Sequence, residues 1–145
     1  MNRQRQGGDI LAILLPVVRG YTFGMNQFFA FSSGEWKVRV DDNGHLTVEQ
    51  DVFGAVTSFG PFQLSVDESA SLWDLITGAA FDKRPSSPGP GVPDESMLGF
   101  ALSAQEMHSV QLWASDAFVD LTVTELINEI GKLIEKYTGK KPTLR

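Results

Sequence analysis

The side chains best suited to acid–base chemistry are an acidic pair, Asp94 and Glu95, and a histidine further along the chain, His108. Carboxylates and imidazole are common general acids and bases in enzymes. The pair ends a proline-rich segment, and the histidine begins a predicted strand. A small enzyme or ligand-binding protein could therefore use these three residues around a pocket at a sheet edge. The alternative is structural: Asp94 ends the loop as a cap or turn former, and His108 is a polar residue of an edge strand.

Other kinds of site have weaker support. The absence of cysteine excludes disulfides, thiolate metal sites and cysteine nucleophiles. Residues 41–45 (DDNGH) are rich in oxygen ligands, but Val52 stands where a calcium loop needs glutamate, and Asn-Gly is typical of a hairpin turn. No serine lies in a G-x-S-x-G sequence, and no glycine-rich phosphate loop is present. We therefore predict neither a metal nor a cofactor.

Size and composition are those of a soluble globular domain. The chain has 145 residues, of which 42% are hydrophobic and 21% charged. A chain of about this length buries roughly two-thirds of its unfolded surface and needs no disulfide or metal to stabilise its core. We predict one domain over residues 1–145.

The net charge of −6 is unevenly distributed along the chain. Residues 1–19 carry a net charge of +2 and residues 132–145 a net charge of +4, so the 112 residues between them carry −12. An acidic surface repels phosphate backbones, which argues against a nucleic-acid partner. The same surface attracts basic proteins, and we predict another protein as the partner.

The N-terminal region contains an apolar segment at residues 9–18. Its uninterrupted apolar run is shorter than the ~20 residues of a membrane span, so we predict no membrane association. The following residues, Arg19-Gly20-Tyr21, do not form a signal-peptide cleavage site. We expect a cytoplasmic protein whose apolar segment joins the core or forms a homodimer interface.

Alternation of apolar and polar residues at a period of two predicts most of the strands. It is clear at residues 21–31, 36–40, 45–51, 62–66, 97–102 and 108–113. Between two of these strands, Asn43-Gly44 predicts a type I′ hairpin turn. Residues 52–60 fit either a short strand or a loop.

Helical spacing of apolar residues predicts two helices, at about residues 67–78 and 123–138. For the first, we expect Asp67 to cap the N-terminus and Gly78 to follow the C-terminus. For the second, Thr122 and Glu125 fit a capping box, and Gly139 ends the helix.

Residues 81–96 form a proline-rich loop, with four prolines and two glycines. Loops of this length are uncommon inside compact domains and often have a function. The order of elements around this loop predicts an α+β fold. We expect an antiparallel sheet of five to six strands, covered on one face by two helices.

The order of hairpins and helices, with the acidic body, loosely resembles small bacterial inhibitor and immunity proteins. No motif carries this resemblance, so it implies no site residue. Our leading hypothesis is a non-catalytic protein-binding domain of a regulatory, inhibitor-like or immunity-like kind. The alternatives are an enzyme or ligand-binding protein with a site at the loop 81–96, and a self-associating structural protein.

Overall fold

The computed structural model describes residues 22–28, 34–89, 95–103 and 106–144. The apolar segment at residues 9–18 and the predicted site residue Asp94 lie outside these ranges. The strands are β1 (Thr22–Phe28), β2 (Glu35–Asp41), β3 (His45–Val52), β4 (Ala55–Gln63), β5 (Met97–Ser103) and β6 (Met107–Trp113). The helices are α1 (Val66–Ala79), α2 (Ala114–Ala117) and α3 (Leu121–Thr138).

The six strands of the described residues form one antiparallel sheet in the order β4-β3-β2-β1-β5-β6. The α+β fold predicted from the sequence, an antiparallel sheet with two main helices, is confirmed. Consecutive strands pair as hairpins, and the chain crosses the sheet once, through α1, so that β5 lies beside β1.

Alternation along the strands separates the two faces of the sheet. On β2, Val38 and Val40 are buried while Lys37 and Arg39 are exposed. Successive strand side chains point to opposite faces, so the buried set faces the helices and the charged set faces away from them. Three aromatic rings lie in this core: Phe81 stacks on Phe23 and Phe100 with centroid separations of 5.7 and 4.7 Å.

The two main helices bury their apolar sides against the sheet. α1 buries Leu72 and Ile76, and α3 buries six residues at helical spacing, from Val123 to Ile134. After α3 the chain returns to the core, where Leu144 is buried and the Gln27 amide donates to the carbonyl of Thr143 at 2.6 Å. No helix in the described part of the chain is long and apolar enough to cross a membrane.

The caps of the helices differ from those expected. Ser65, not Asp67, caps α1: its hydroxyl accepts from the Glu68 amide, and the Glu68 carboxylate accepts from the Ser65 amide. Ala80, two residues beyond Gly78, takes the left-handed conformation that ends the helix.

At α3, Asp120 replaces the expected Thr122 as N-cap and accepts from the Val123 amide at 3.0 Å. A capping side chain accepts amides two or three residues ahead, and with these caps α1 begins one residue and α3 two residues before the positions expected. Gly139 ends α3 as predicted, with φ of 76°.

The turn at Asn43-Gly44 connects β2 and β3, but it is not of type I′. The Gly44 amide donates to the Asp41 carbonyl, and Gly44 alone in this turn has a positive φ, of 80°. A three-residue loop in which the last residue is left-handed is a type I turn followed by a glycine bulge. The loop is therefore one residue longer than predicted.

The type I′ turn lies instead at Phe53-Gly54. Both residues have positive φ, 51° and 89°, and Val52 pairs with Ala55 across the turn. Most of the ambiguous stretch at residues 52–60 consequently belongs to a hairpin, and β4 is an edge strand of the sheet. The period-two pattern is weak there because β4 buries little on either face.

Candidate functional site

Of the acidic pair predicted to carry chemistry, Glu95 lies within the described residues. Its Oε2 accepts a hydrogen bond from the Ser115 amide at 2.6 Å. Ser115 belongs to the first turn of the short helix α2, whose own N-cap, Trp113, makes no side-chain cap. Glu95 therefore satisfies an amide that the start of a helix leaves without an intrahelical partner.

His108 lies on β6 opposite Leu102, whereas Glu95 precedes β5, at the end where Met97 pairs with Trp113. Five residue steps along β6 lead from His108 to Trp113, a distance of about 16 Å at the rise of an extended strand. The structure thus does not bring Glu95 and His108 together. A role of either residue in a site stays a prediction.

The oxygen-rich turn contains a hydrogen-bonded pair. His45 Nδ1 lies 3.1 Å from Asp41 Oδ2, and the other oxygen of this carboxylate accepts from the backbone amides of Asn43 and His45. These hydrogen bonds lower the pKa of Asp41 against the opposing effect of desolvation, which is the largest single influence on it. Among the described residues, no group of three His, Asp or Glu side chains could hold a metal ion.

The described part of the proline-rich loop runs along the outer edge of β6. The Ser87 amide donates to the Gln111 carbonyl at 2.8 Å, and the Ser86 hydroxyl accepts from the Gln111 amide at 3.0 Å. The Ser87 hydroxyl accepts from the Trp113 amide at 3.1 Å, and the indole of Trp113 donates to the Gly89 carbonyl at 3.2 Å. The prolines on either side of the serines suit an extended segment without regular structure.

These contacts explain the loop structurally. An edge strand exposes backbone donors and acceptors that can pair with another chain, and covering the edge prevents this. Arg84 fixes the start of the covering segment by ion pairing with Asp120 at 2.8 Å and donating to the Ala79 carbonyl. The described part of the loop therefore covers the outer edge of β6.

The face of the sheet opposite α1 and α3, which we call the open face, has no helix on it among the described residues. Its centre, on β1 and β5, is made of small side chains: Gly24, Asn26, Gly99 and Ala101. Its charged part, on β2 and β3, contains five side chains: Glu35, Lys37, Arg39, Glu49 and Asp51. The open face therefore has a shallow surface of small residues on β1 and β5, next to longer charged side chains on β2 and β3.

A cavity of about 190 Å³ lies in the charged part of the open face, and we call it the acidic pocket. Three carboxylates and one ammonium group line it, together with Asn26 and Val56 among others: Glu35, Glu49, Asp51 and Lys37. Small-molecule pockets usually measure about 300–1,000 Å³, so this pocket matches a single side chain better than a substrate.

The register of β2 and β3 places two like charges opposite each other in this pocket. Glu35 pairs with Asp51, whereas the next row pairs Lys37 with Glu49. Side chains directly opposite on antiparallel strands have Cβ atoms about 4.5–5.5 Å apart, and like charges there are destabilising. One Asp51 oxygen accepts from the Gly54 amide at 2.8 Å, which holds this carboxylate in place. With three carboxylates and one ammonium group in its lining, the pocket carries an excess of negative charge that favours a cation.

The sequence patterns did not reveal this pocket, because its lining comes from four strands and each of its charged residues resembles ordinary surface charge. The sequence feature that could have revealed the pocket is the β2–β3 hairpin, because its register determines which charged residues lie opposite each other. No family model matches the chain, and no curated protein matches its sequence.

Proposed function

We propose that this protein is a non-catalytic binding domain that binds a basic segment of another protein in the acidic pocket. The observation that carries the proposal is the acidic lining of this pocket, three carboxylates against one ammonium group, with Glu35 opposite Asp51 in the register of β2 and β3. The excess negative charge of the pocket would attract a lysine or arginine side chain of the partner. The pocket volume suits one such side chain, and the partner's backbone would lie over the small residues of β1 and β5.

Long-range electrostatics supports the same choice of partner. The body of the chain carries a net charge of −12 between its basic ends. A field of this sign accelerates encounter with a basic partner and disfavours nucleic acid. A regulatory or inhibitor-like domain acting in the cytoplasm fits this mode of binding, which needs surface complementarity and no catalytic group.

The test is a titration with a short capped peptide of alternating arginine and glycine, followed by backbone amide chemical shifts of the ¹⁵N-labelled protein. We expect the largest shift changes at residues 35–37 and 49–51, and weaker binding at high salt. Glu35→Gln removes one of the facing charges while keeping the shape, and it should lower the affinity several-fold.

The matched control is Glu125→Gln, which removes the same charge from an exposed position on α3. If shift changes are spread over the whole acidic surface, or if both variants weaken binding equally, the peptide binds through the overall negative charge of the protein and not at one site. Either result would overturn a specific site in the acidic pocket.

A further inference from the structure

The two edge strands of the sheet, β4 and β6, differ in what lies beside them. The loop residues Ser86 and Ser87 hydrogen-bond along β6, whereas β4 ends the sheet with no strand beyond it among the described residues. Natural edge strands are usually protected by charges, proline, bulges or a covering segment. The stretch from Val52 to Val66 has no charged residue.

The second half of β4 has its own protection. Pro61 lacks an amide donor, and the pairing of β3 with β4 is irregular between Leu46 and Val48. The first half, residues 55–59, has neither feature. Val56 there is 57% exposed although it is apolar and favours strands.

The type I′ turn determines which backbone groups of β4 point outward. In a two-residue hairpin of this type, the residues flanking the turn, Val52 and Ala55, exchange hydrogen bonds. Hydrogen-bonded and non-hydrogen-bonded pairs then alternate along the ladder. Val56 and Ser58 occupy the non-hydrogen-bonded positions opposite Asp51 and Glu49. Their amides and carbonyls therefore face away from β3, toward the outer edge of the sheet, where no other described strand lies.

We propose that β4 pairs antiparallel with β4 of a second copy of this chain, with Val56 opposite Ser58 of that copy. The two-fold axis then passes through Thr57, so that the two Thr57 side chains face each other. Facing threonines on adjacent strands are a favourable pair. The four outward groups of Val56 and Ser58 on each copy are all paired in this register.

The absence of charge on β4 favours a second copy of this chain as the partner. Two chains with a net charge of −6 repel each other over most of their surfaces. The nearest acidic side chains, Glu49 and Asp51 on β3, would lie three strand spacings from those of the other copy, about 14 Å. Screening at physiological salt acts over about 8 Å, so this repulsion is largely removed there.

The expected dimer is weak, because pairing along one short edge buries less area than the roughly 1,200 Å² of stable interfaces. It should strengthen as salt rises, since the opposing force is repulsion between acidic chains. Peptide binding in the acidic pocket should instead weaken with salt. The opposite signs separate the two proposals, and dimerisation does not depend on the proposed function.

Sedimentation equilibrium of the full chain, over a wide range of protein concentration, tests the dimer. We expect the average mass to rise toward that of a dimer as concentration increases, and more so at higher salt. Amide hydrogen exchange gives the site: the Val56 and Ser58 amides should become at least several-fold more protected in the concentrated sample.

Ser58→Pro removes the outward amide without removing a hydrogen bond to β3, and Ser58→Lys places a charge on the edge strand. Both substitutions should abolish the rise in average mass with protein concentration. Ser71→Lys adds the same charge on an exposed position of α1 and should leave it unchanged. A chain that stays monomeric overturns the proposal. So does a dimer that persists in both Ser58 variants, or one in which the two amides exchange at the monomer rate.

Discussion

The hydroxyl of Tyr137 donates a hydrogen bond to Oε1 of Glu68 across 2.5 Å, joining the last turn of α3 to the first turn of α1. Lys136 forms an ion pair with the other oxygen of the same carboxylate, and the Ser65 amide donates to Oε1 at 2.9 Å. The hydrogen bond from Lys136 lowers the pKa of Glu68 most, followed by those from Tyr137 and from the Ser65 amide. Together they bring this pKa to about 2. One carboxylate therefore both caps a helix and links the two helices of the core layer.

Replacing Glu68 should destabilise the protein. Glu68→Gln keeps the size of the side chain but removes the negative charge to which Lys136, Tyr137 and the Ser65 amide bind. Hydrogen bonds to charged groups contribute about 1.5–3 kcal/mol. We expect the free energy of unfolding to fall by an amount in this range in urea titrations. The control Glu125→Gln changes an exposed glutamate of α3 and should shift stability by less than about 0.5 kcal/mol. Equal losses in the two variants would contradict the assignment.

The lowered pKa of Glu68 predicts a pH dependence of stability. Its ordinary value is 4.5, and folding lowers it to about 2, so the unfolded chain binds the proton more readily. The stabilisation by Glu68 is therefore complete above about pH 4.5 and is lost as the pH falls through about 2. Urea unfolding of the wild type and of Glu68→Gln should show a constant difference near neutral pH. That difference should shrink below about pH 4.5, and a constant difference throughout would disprove the linkage.

The type I′ turn carries an unfavourable residue at Phe53. Its φ of 51° is strained for a bulky side chain, and the ring is 91% exposed, so it gains little from burial. Asparagine tolerates this conformation, and Asn-Gly is the preferred type I′ pair. Phe53→Asn should relieve part of the roughly 1–2 kcal/mol that the left-handed conformation costs an ordinary side chain, and so raise the thermal unfolding midpoint. Phe53→Ala removes the ring but keeps the strain, and it should not give this gain.

The serine that covers β6 should matter for stability and for aggregation. The Ser87 hydroxyl accepts from the Trp113 amide and donates to Asp116, so Ser87→Ala removes two hydrogen bonds. We expect a loss of about 1–2 kcal/mol, and faster aggregation measured by light scattering as the edge opens. Ser109→Ala, at an exposed position of β6 itself, is the control. Aggregation at the same rate in both variants would show that the loop does not protect the edge.

Much of the fold could be predicted because it depends on local patterns. The helices expected at residues 67–78 and 123–138 were found at Val66–Ala79 and Leu121–Thr138. Their boundaries were nearly right, although Ser65 and Asp120 do the capping. Several polar residues near a helix start can cap it, and the actual cap depends on which side chains the neighbouring elements leave available.

The candidate site could not be predicted, and the turn at Asn43-Gly44 shows why. A two-residue type I′ loop would have placed Glu35 opposite Val52, whereas the observed three-residue loop places it opposite Asp51. One residue of loop length changes every cross-strand pair of the hairpin. The acidic pocket depends on this register. Two of the three predicted site residues, Glu95 and His108, lie at opposite ends of the β5–β6 hairpin.

The sequence by itself determined the class of this protein: a cysteine-free α+β chain with an acidic body, an antiparallel sheet and two amphipathic helices. Periodicity and composition are local properties, and burial of apolar surface follows them directly. Only the tertiary structure decided that the described part of the proline-rich loop covers β6, that β4 has no strand beyond it among the described residues, and that Glu35 lies opposite Asp51. These are relations between distant residues, and they depend on strand order and register, which the whole core selects together.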